Sequence, residues 1–276
     1  MRRSDTFGWQ CKHTAIDNIH ADLDRLAQSR PTPQPHPEAA AEVESDSSRK
    51  YSTTEYWNDR YSSADSTYDW HHTFETLNPL LSHILQPEHR VLVLGCGNST
   101  FSEDMYDEGY KNIVNIDISS VCIDQMAKRN CAAGRVMQWQ VMDVTDLDFE
   151  DSTFDMVIDK STGDSISCNN DGQQMVRRML SEAGRVLKAK GVFVSISCCA
   201  TVRLMIHQKE ADWKVAEMKM PTAIHKKTDE QAAAQVTFIW ARKKPTMNKK
   251  VLMALLAKMK SKKASAKASS EIKDAE

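Results

Sequence analysis

Apolar and polar positions follow two distinct patterns along the middle of the chain, one typical of strands and one of helices. Short apolar runs with the length and β-branched content of buried strands occur at residues 90–94, 113–116, 154–158 and 192–196, and residues 136–142 alternate as a further strand. Between them apolar residues recur at helical spacing, most regularly from Met175 to Leu187. We expect Gly191 to end that helix, since glycine often follows a helix terminus. Alternating strands and helices indicate a sheet with crossover helices.

Two further runs, around 213–218 and 236–240, alternate like strands and have no strong helical pattern between them. They fit an antiparallel, hairpin-like finish on an otherwise parallel sheet. The predicted fold is therefore α/β: a doubly wound, seven-stranded and mostly parallel sheet with an antiparallel last strand.

The two ends of the chain have a different composition. Residues 1–50 are rich in proline, alanine and serine, and residues 245–276 in lysine, alanine and serine. Such segments bury little apolar surface, so we expect both to be disordered around a domain at 51–244. Lys243 to Glu276 holds ten lysines and three acids, a net charge of +7, so the total of −2 leaves −9 for the rest.

This charge distribution bears on partners. The body, residues 1–242, is acidic and would repel phosphates, so nucleic acid is an unlikely partner for the domain. The basic tail, residues 243–276, can make weak contact with RNA. No apolar run reaches the roughly 18 residues of a membrane span. The seven cysteines form no CxxC pair, so we expect a reducing compartment, the cytoplasm or also the nucleus, and no metal site.

Candidate chemistry begins where the first strand ends. Gly95 and Gly97 follow it directly, which lets a ligand lie against bare backbone, although a plain tight turn has the same sequence. Asp117 ends the second strand, 22 positions after Gly95, where a carboxylate can accept hydrogen bonds from both ribose hydroxyls. Thr100 occupies the third glycine position of a dinucleotide fingerprint, which favours a mononucleoside cofactor.

The next two strands also end in polar groups. After the third, the Asp143 carboxylate and the Val144 amide can bind an adenine, although Asp143 could equally cap its loop. The fourth strand ends in Asp159 and Lys160. Because parallel strands end at one edge of the sheet, all four turns should meet there.

Taken together, these stretches resemble the motifs of class I methyltransferases. The motifs are YWNDRY at 56–61, YDW at 68–70, LGCGNS at 94–99, NIDIS at 115–119, MDVTDLDF at 142–149 and STFDMVIDKST at 152–162. The set is similar to the methyltransferase-like family that methylates lysines, and in one case the N-terminus, of translation elongation factor 1-alpha. The resemblance implies S-adenosyl-L-methionine as cofactor and a protein substrate. It implies a cofactor site formed by Trp57, Tyr61, Trp70, Gly95, Gly97, Asp117, Ile118, Asp143, Val144 and Lys160.

One departure concerns the acceptor side. The family usually reads DKGTLDA where this chain has Ser161 and Gly163 in place of glycine and leucine. The substrate-facing lip therefore differs, and a small-molecule N- or O-methyltransferase or a non-catalytic cofactor-binding scaffold stays open beside a protein-lysine methyltransferase. Methyl transfer from a sulfonium needs little acid–base help, so the sequence assigns no catalytic base, and Asp159 and Asp164 are no more than candidates.

Overall fold

The computed structural model describes residues 49–64, 66–207, 213–220 and 236–243. The predictions for residues 1–48 and 245–276 lie outside these ranges. The strands are β1 Val91–Leu94, β2 Ile113–Asp117, β3 Gln138–Val141, β4 Phe154–Lys160, β5 Leu187–Ser197, β6 Trp213–Lys219 and β7 Thr237–Lys243. The α-helices are α1 Thr54–Ser62, α2 Phe74–Leu81, α3 Phe101–Asp107, α4 Ser120–Ala132, α5 Thr162–Ser167, α6 Gly172–Val186 and α7 Ala200–Ile206.

The strands form one sheet in the order β3-β2-β1-β4-β5-β7-β6. Strands β1 to β5 pair in parallel, and β7 runs antiparallel to both of its neighbours. The predicted seven-stranded α/β fold is thereby confirmed. The strand order reverses between β1 and β4, and ligands of such sheets bind beyond the carboxyl ends of the strands at that switch point.

Helices cover both faces of the sheet and create two hydrophobic cores. In β1, Val91 and Val93 belong to one core, whereas Leu92 and Leu94 belong to the other. All four are nearly inaccessible to solvent, which explains why this strand reads as an unbroken apolar run. The helix α6 packs its apolar stripe into the second core, as its spacing predicts.

The prediction for Gly191 was wrong. Helix α6 ends at Val186, and β5 begins at the next residue, so Gly191 lies inside β5. The pairing of β5 with β4 shifts register there, and Lys190 has a φ of 70°. A Cβ on Gly191 would lie 2.9 Å from the Lys188 carbonyl oxygen. This glycine therefore permits a bulge in a strand and has no part in ending the helix.

Within the described residues, no helix is both long and apolar enough to cross a membrane.

Candidate cofactor-binding site

The turn after β1 holds two glycines in backbone conformations that other residues rarely adopt. Gly95 has a φ of 53° and Gly97 a φ of 57°. A Cβ on Gly95 would lie 2.2 Å from the Thr162 Oγ1, and that hydroxyl donates to the Leu94 carbonyl oxygen at 2.9 Å. A Cβ on Gly97 would lie 3.0 Å from the Tyr61 hydroxyl. A side chain on Gly95 would therefore overlap Thr162, and one on Gly97 would require the Tyr61 hydroxyl to move.

Asp117 lies at the end of β2 and faces this turn. Its carboxylate accepts hydrogen bonds from the Gly97 amide and the Ser119 amide, each at 2.9 Å. Only 5% of the residue is exposed, and this burial raises the pKa of the carboxyl, against the lowering effect of its backbone donors. The carboxylate is thus fixed beside the glycine turn before any ligand binds.

Helix α1 brings an aromatic wall to the same place. Trp57 and Tyr61 lie one helical turn apart, and their rings stack with centroids 5.7 Å apart. The helix is attached to the turn between β2 and α4 by Asn58, whose side-chain oxygen accepts from the Ser119 hydroxyl at 2.7 Å. That same serine caps α4, because its hydroxyl also accepts a hydrogen bond from the Cys122 amide.

Residues 66–71, which we call the strap, cross the far end of the site. Asp69 accepts hydrogen bonds from the hydroxyls of Ser99 and Thr100 and pairs with the Lys160 ammonium at 2.9 Å. The Lys160 ammonium also donates to the Trp70 carbonyl oxygen at 3.2 Å. The two charged side chains are only 14% and 8% exposed, and burial lowers the pKa of Lys160. This ion pair attaches the strap to the end of β4.

The residues predicted to bind adenine follow the ends of β2 and β3. Ile118, Asp143 and Val144 all line the cleft. The Asp143 carboxylate accepts from the Thr145 amide at 2.8 Å, so it caps its own loop in addition to facing the cleft. The position of Asp143 is therefore compatible both with binding an adenine and with capping its own loop.

The two candidate bases do not line the cleft. Asp159 is fully buried and accepts from the Gly163 amide at 3.0 Å and the Ser195 hydroxyl at 2.8 Å. Burial raises its pKa to about 6. Asp164 instead pairs with His71, with 3.0 Å between the Nε2 and Oδ2 atoms. Neither carboxylate therefore has direct access to a substrate at the mouth of the cleft.

The cleft has a volume of about 980 Å³ including its open mouth, and it brings together every residue predicted to bind the cofactor. It also includes residues that the sequence analysis did not assign, among them Arg60, Tyr68, Asn98, Ser99, Phe101, Met142, Ser165, Ile166 and Met175. Arg60, Tyr68, Asn98, Ser99 and Met142 lie within quoted motifs and were detectable in principle. The other four lie on α3, α5 and α6, outside those motifs.

These features define a nucleoside-binding α/β domain with its site at the switch point of the sheet. A family of methyltransferase domains matches residues 85–260, and the chain belongs to that family. The predicted class, a methyltransferase with S-adenosylmethionine as cofactor, is confirmed. The residues present fit this cofactor, because the Asp117 carboxylate is held beside the glycine turn in the cleft and the Ser161 hydroxyl, buried at the cleft wall, has no hydrogen-bond partner among the described residues.

Curated relatives share a large part of the domain. The mouse protein named eEF1A lysine and N-terminal methyltransferase is 41% identical over 154 residues, which are 55% of this chain and 22% of the relative. The mouse EEF1A lysine methyltransferase 4 is 31% identical over 188 residues, which are 64% of this chain and 73% of the relative. The chain thus spans about a fifth of the first relative's length and about three quarters of the second's.

The fold also has solved relatives. The structure of a protein from echinomycin biosynthesis, concerned with converting a disulfide bond into a thioacetal group, aligns with a TM-score of 0.54 at 16% identity. The alignment covers 75% of this chain and 98% of that protein. At this identity the likeness shows the fold alone.

Proposed function

We propose that this chain is an S-adenosylmethionine-dependent methyltransferase that methylates a lysine of a protein, and that translation elongation factor 1-alpha is its substrate. The observation that carries the proposal is the convergence of the β1, β2 and β4 ends and the α1 aromatic wall on one cleft, in a chain whose relatives are named for lysine methylation of eEF1A. A cytoplasmic location follows from such a substrate.

The proposed binding roles follow from the contacts in the cleft. Asp117 would accept hydrogen bonds from the ribose, and Asp143 and the Val144 amide would bind the adenine. The strap would close the end that holds the methionine moiety, beside Lys160. When bound, the cofactor supplies a methyl group on a positively charged sulfur. The π faces of Trp57 and Trp70 can attract that charge and exclude water.

The acceptor requires little from the protein beyond position and a dry environment. A lysine must arrive uncharged to attack a methyl group, and desolvation beside aromatic rings lowers the pKa of an amine. The body outside the basic tail carries a net charge of −9, which attracts a lysine-rich segment of a substrate. Neither Asp159 nor Asp164 is needed as a base in this scheme.

The test is an in vitro assay with the purified full chain, S-adenosylmethionine and eEF1A, read by mass spectrometry of the lysines. We expect methylation at one defined lysine, and none with Asp117→Ala, which serves as the control for cofactor dependence. Labelled cofactor in a cell lysate provides the second measurement. Label confined to small metabolites, or cofactor binding without any product, would contradict the proposal.

A further inference from the structure

Three potential metal ligands from distant parts of the chain meet beside the cleft. His71 belongs to the strap, Asp164 to α5, and Cys198 follows the end of β5. The Nε2, carboxylate oxygen and Sγ atoms of these residues all lie within 4.8 Å of one another. The Asp164 Oδ2 lies 3.0 Å from the Nε2 of His71 and 3.3 Å from the Sγ of Cys198. These separations are close to those between neighbouring ligands on a single small ion.

The surroundings hold these ligands in place. The other carboxylate oxygen of Asp164 accepts a hydrogen bond from the Ser197 hydroxyl, the kind of outer contact that orients a metal-binding carboxylate. The Cys198 amide donates to the Oδ2 at 3.1 Å. His71 has a φ of 62°, a conformation that a non-glycine residue adopts only when its surroundings enforce it. The histidine and aspartate side chains are 15% and 16% exposed, so an ion could enter from solvent.

We propose that His71, Asp164 and Cys198 form a binding site for a Zn²⁺ ion, with water in the fourth position. Nitrogen, oxygen and sulfur donors in a tetrahedral set are those that zinc prefers. Binding replaces the proton of the Cys198 thiol by a sulfur–zinc bond and releases that proton to solvent. The neutral His71 imidazole carries its one proton on Nδ1 in the bound form, so that the Nε2 lone pair binds the ion. The carboxylate and the thiolate then balance the two positive charges of the ion.

Such an ion would connect the strap to the sheet at a second point. The Asp69–Lys160 pair already attaches the strap on the cofactor side. His71 immediately follows Trp70, and Asp164 immediately precedes Ser165, and both of these neighbours line the cleft. The ion would thus fix the part of the cleft wall that contains Trp70 and Ser165. This inference does not depend on the identity of the acceptor.

The test is a Co²⁺ titration of the full chain after dialysis against a chelator. Co²⁺ replaces zinc in such sites, and a sulfur–cobalt bond gives a charge-transfer absorption band. We expect one equivalent to bind with this band, and Zn²⁺ to displace it. Cys198→Ser should abolish the band. Cys131→Ser, at an exposed cysteine on α4, and Cys199→Ser, at the adjacent thiol that contacts the Ser167 hydroxyl, should keep it.

Two further variants separate a built site from binding by thiols alone. His71→Asn suits the left-handed backbone and removes the imidazole, so the affinity should fall by more than the roughly 10- to 100-fold that outer contacts contribute. Ser197→Ala should cause a loss within that range. Circular dichroism verifies the fold of each variant. Absence of the band at one equivalent, a band that survives Cys198→Ser, or an affinity unchanged in a folded His71→Asn variant would overturn the proposal.

Discussion

The Asp69–Lys160 pair offers a quantitative test of how the strap is held. The two side chains are largely buried, and the Lys160 ammonium has the Asp69 carboxylate at 2.9 Å and the Trp70 carbonyl oxygen at 3.2 Å. Asp69→Asn keeps the shape of the side chain but removes its charge. The ammonium would then be buried without a counter-ion and with the carbonyl as its main partner.

The expected loss of stability in Asp69→Asn follows from the buried Lys160 ammonium that is left without a counter-ion. Breaking a buried ion pair by removing one partner destabilises a protein by about 3–5 kcal/mol. We expect the lower end, about 3 kcal/mol, because the Trp70 carbonyl still accepts from Lys160. Replacing both partners removes the uncompensated charge, so Asp69→Asn combined with Lys160→Met should lie within about 1 kcal/mol of the unsubstituted chain.

Urea denaturation is followed by circular dichroism for four proteins: the unsubstituted chain, Asp69→Asn, Lys160→Met and the double variant. It measures the four free energies of unfolding and the coupling energy between the two substitutions. We predict that the double variant is more stable than Asp69→Asn alone, with a coupling energy of about 2 kcal/mol or more. Sites that do not interact add to within about 0.5 kcal/mol. Additivity within that range would refute the conclusion that the ion pair attaches the strap.

Three other substitutions test the cleft and its support. Gly95→Ala should destabilise the fold by about 2–4 kcal/mol and weaken cofactor binding, because its Cβ meets the Thr162 hydroxyl at a φ of 53°; unchanged unfolding would contradict this. Ser161→Gly should stabilise by about 1–2 kcal/mol in the same assay, since Ser161 has a φ of 70° and an unpaired buried hydroxyl. Hydrogen bonding from Arg185 lowers the pKa of Glu182 below its ordinary value of 4.5. The ionised Glu182 side chain therefore stabilises the folded protein fully above pH 4.5, and this stabilisation is lost as the pH falls through the lower pKa of the folded state. Glu182→Gln should therefore flatten the acid side of the stability–pH curve, and an unaltered slope there would be the opposite result.

The fold was largely predictable because its signals are local. Each central strand is buried on both faces and therefore appears as a continuous apolar run, as in Val91–Leu94. The join between α6 and β5 was not predictable. Leu187 continues the helical stripe yet belongs to the strand, and the bulge at Gly191 depends on contacts with Lys188 and Leu187 that the local sequence does not reveal.

The cofactor cleft was predictable for a different reason. Its main residues follow strand ends, and parallel strands bring their ends to one edge whatever the intervening helices. The cluster of His71, Asp164 and Cys198 has no such rule. These residues are far apart in the chain and have no metal-binding spacing, so the expectation of no metal site rested only on the missing CxxC pair. Only the folded arrangement brings them together.

The central claim is that the ends of successive strands form a site for an adenosine-bearing sulfonium. Calorimetric titration of the full chain with S-adenosylhomocysteine, the demethylated product, tests it most directly. We predict saturable binding of one molecule per chain, which Asp117→Ala abolishes while the variant keeps its circular dichroism spectrum. No heat of binding at millimolar ligand, or full affinity in the folded Asp117→Ala variant, would contradict the account.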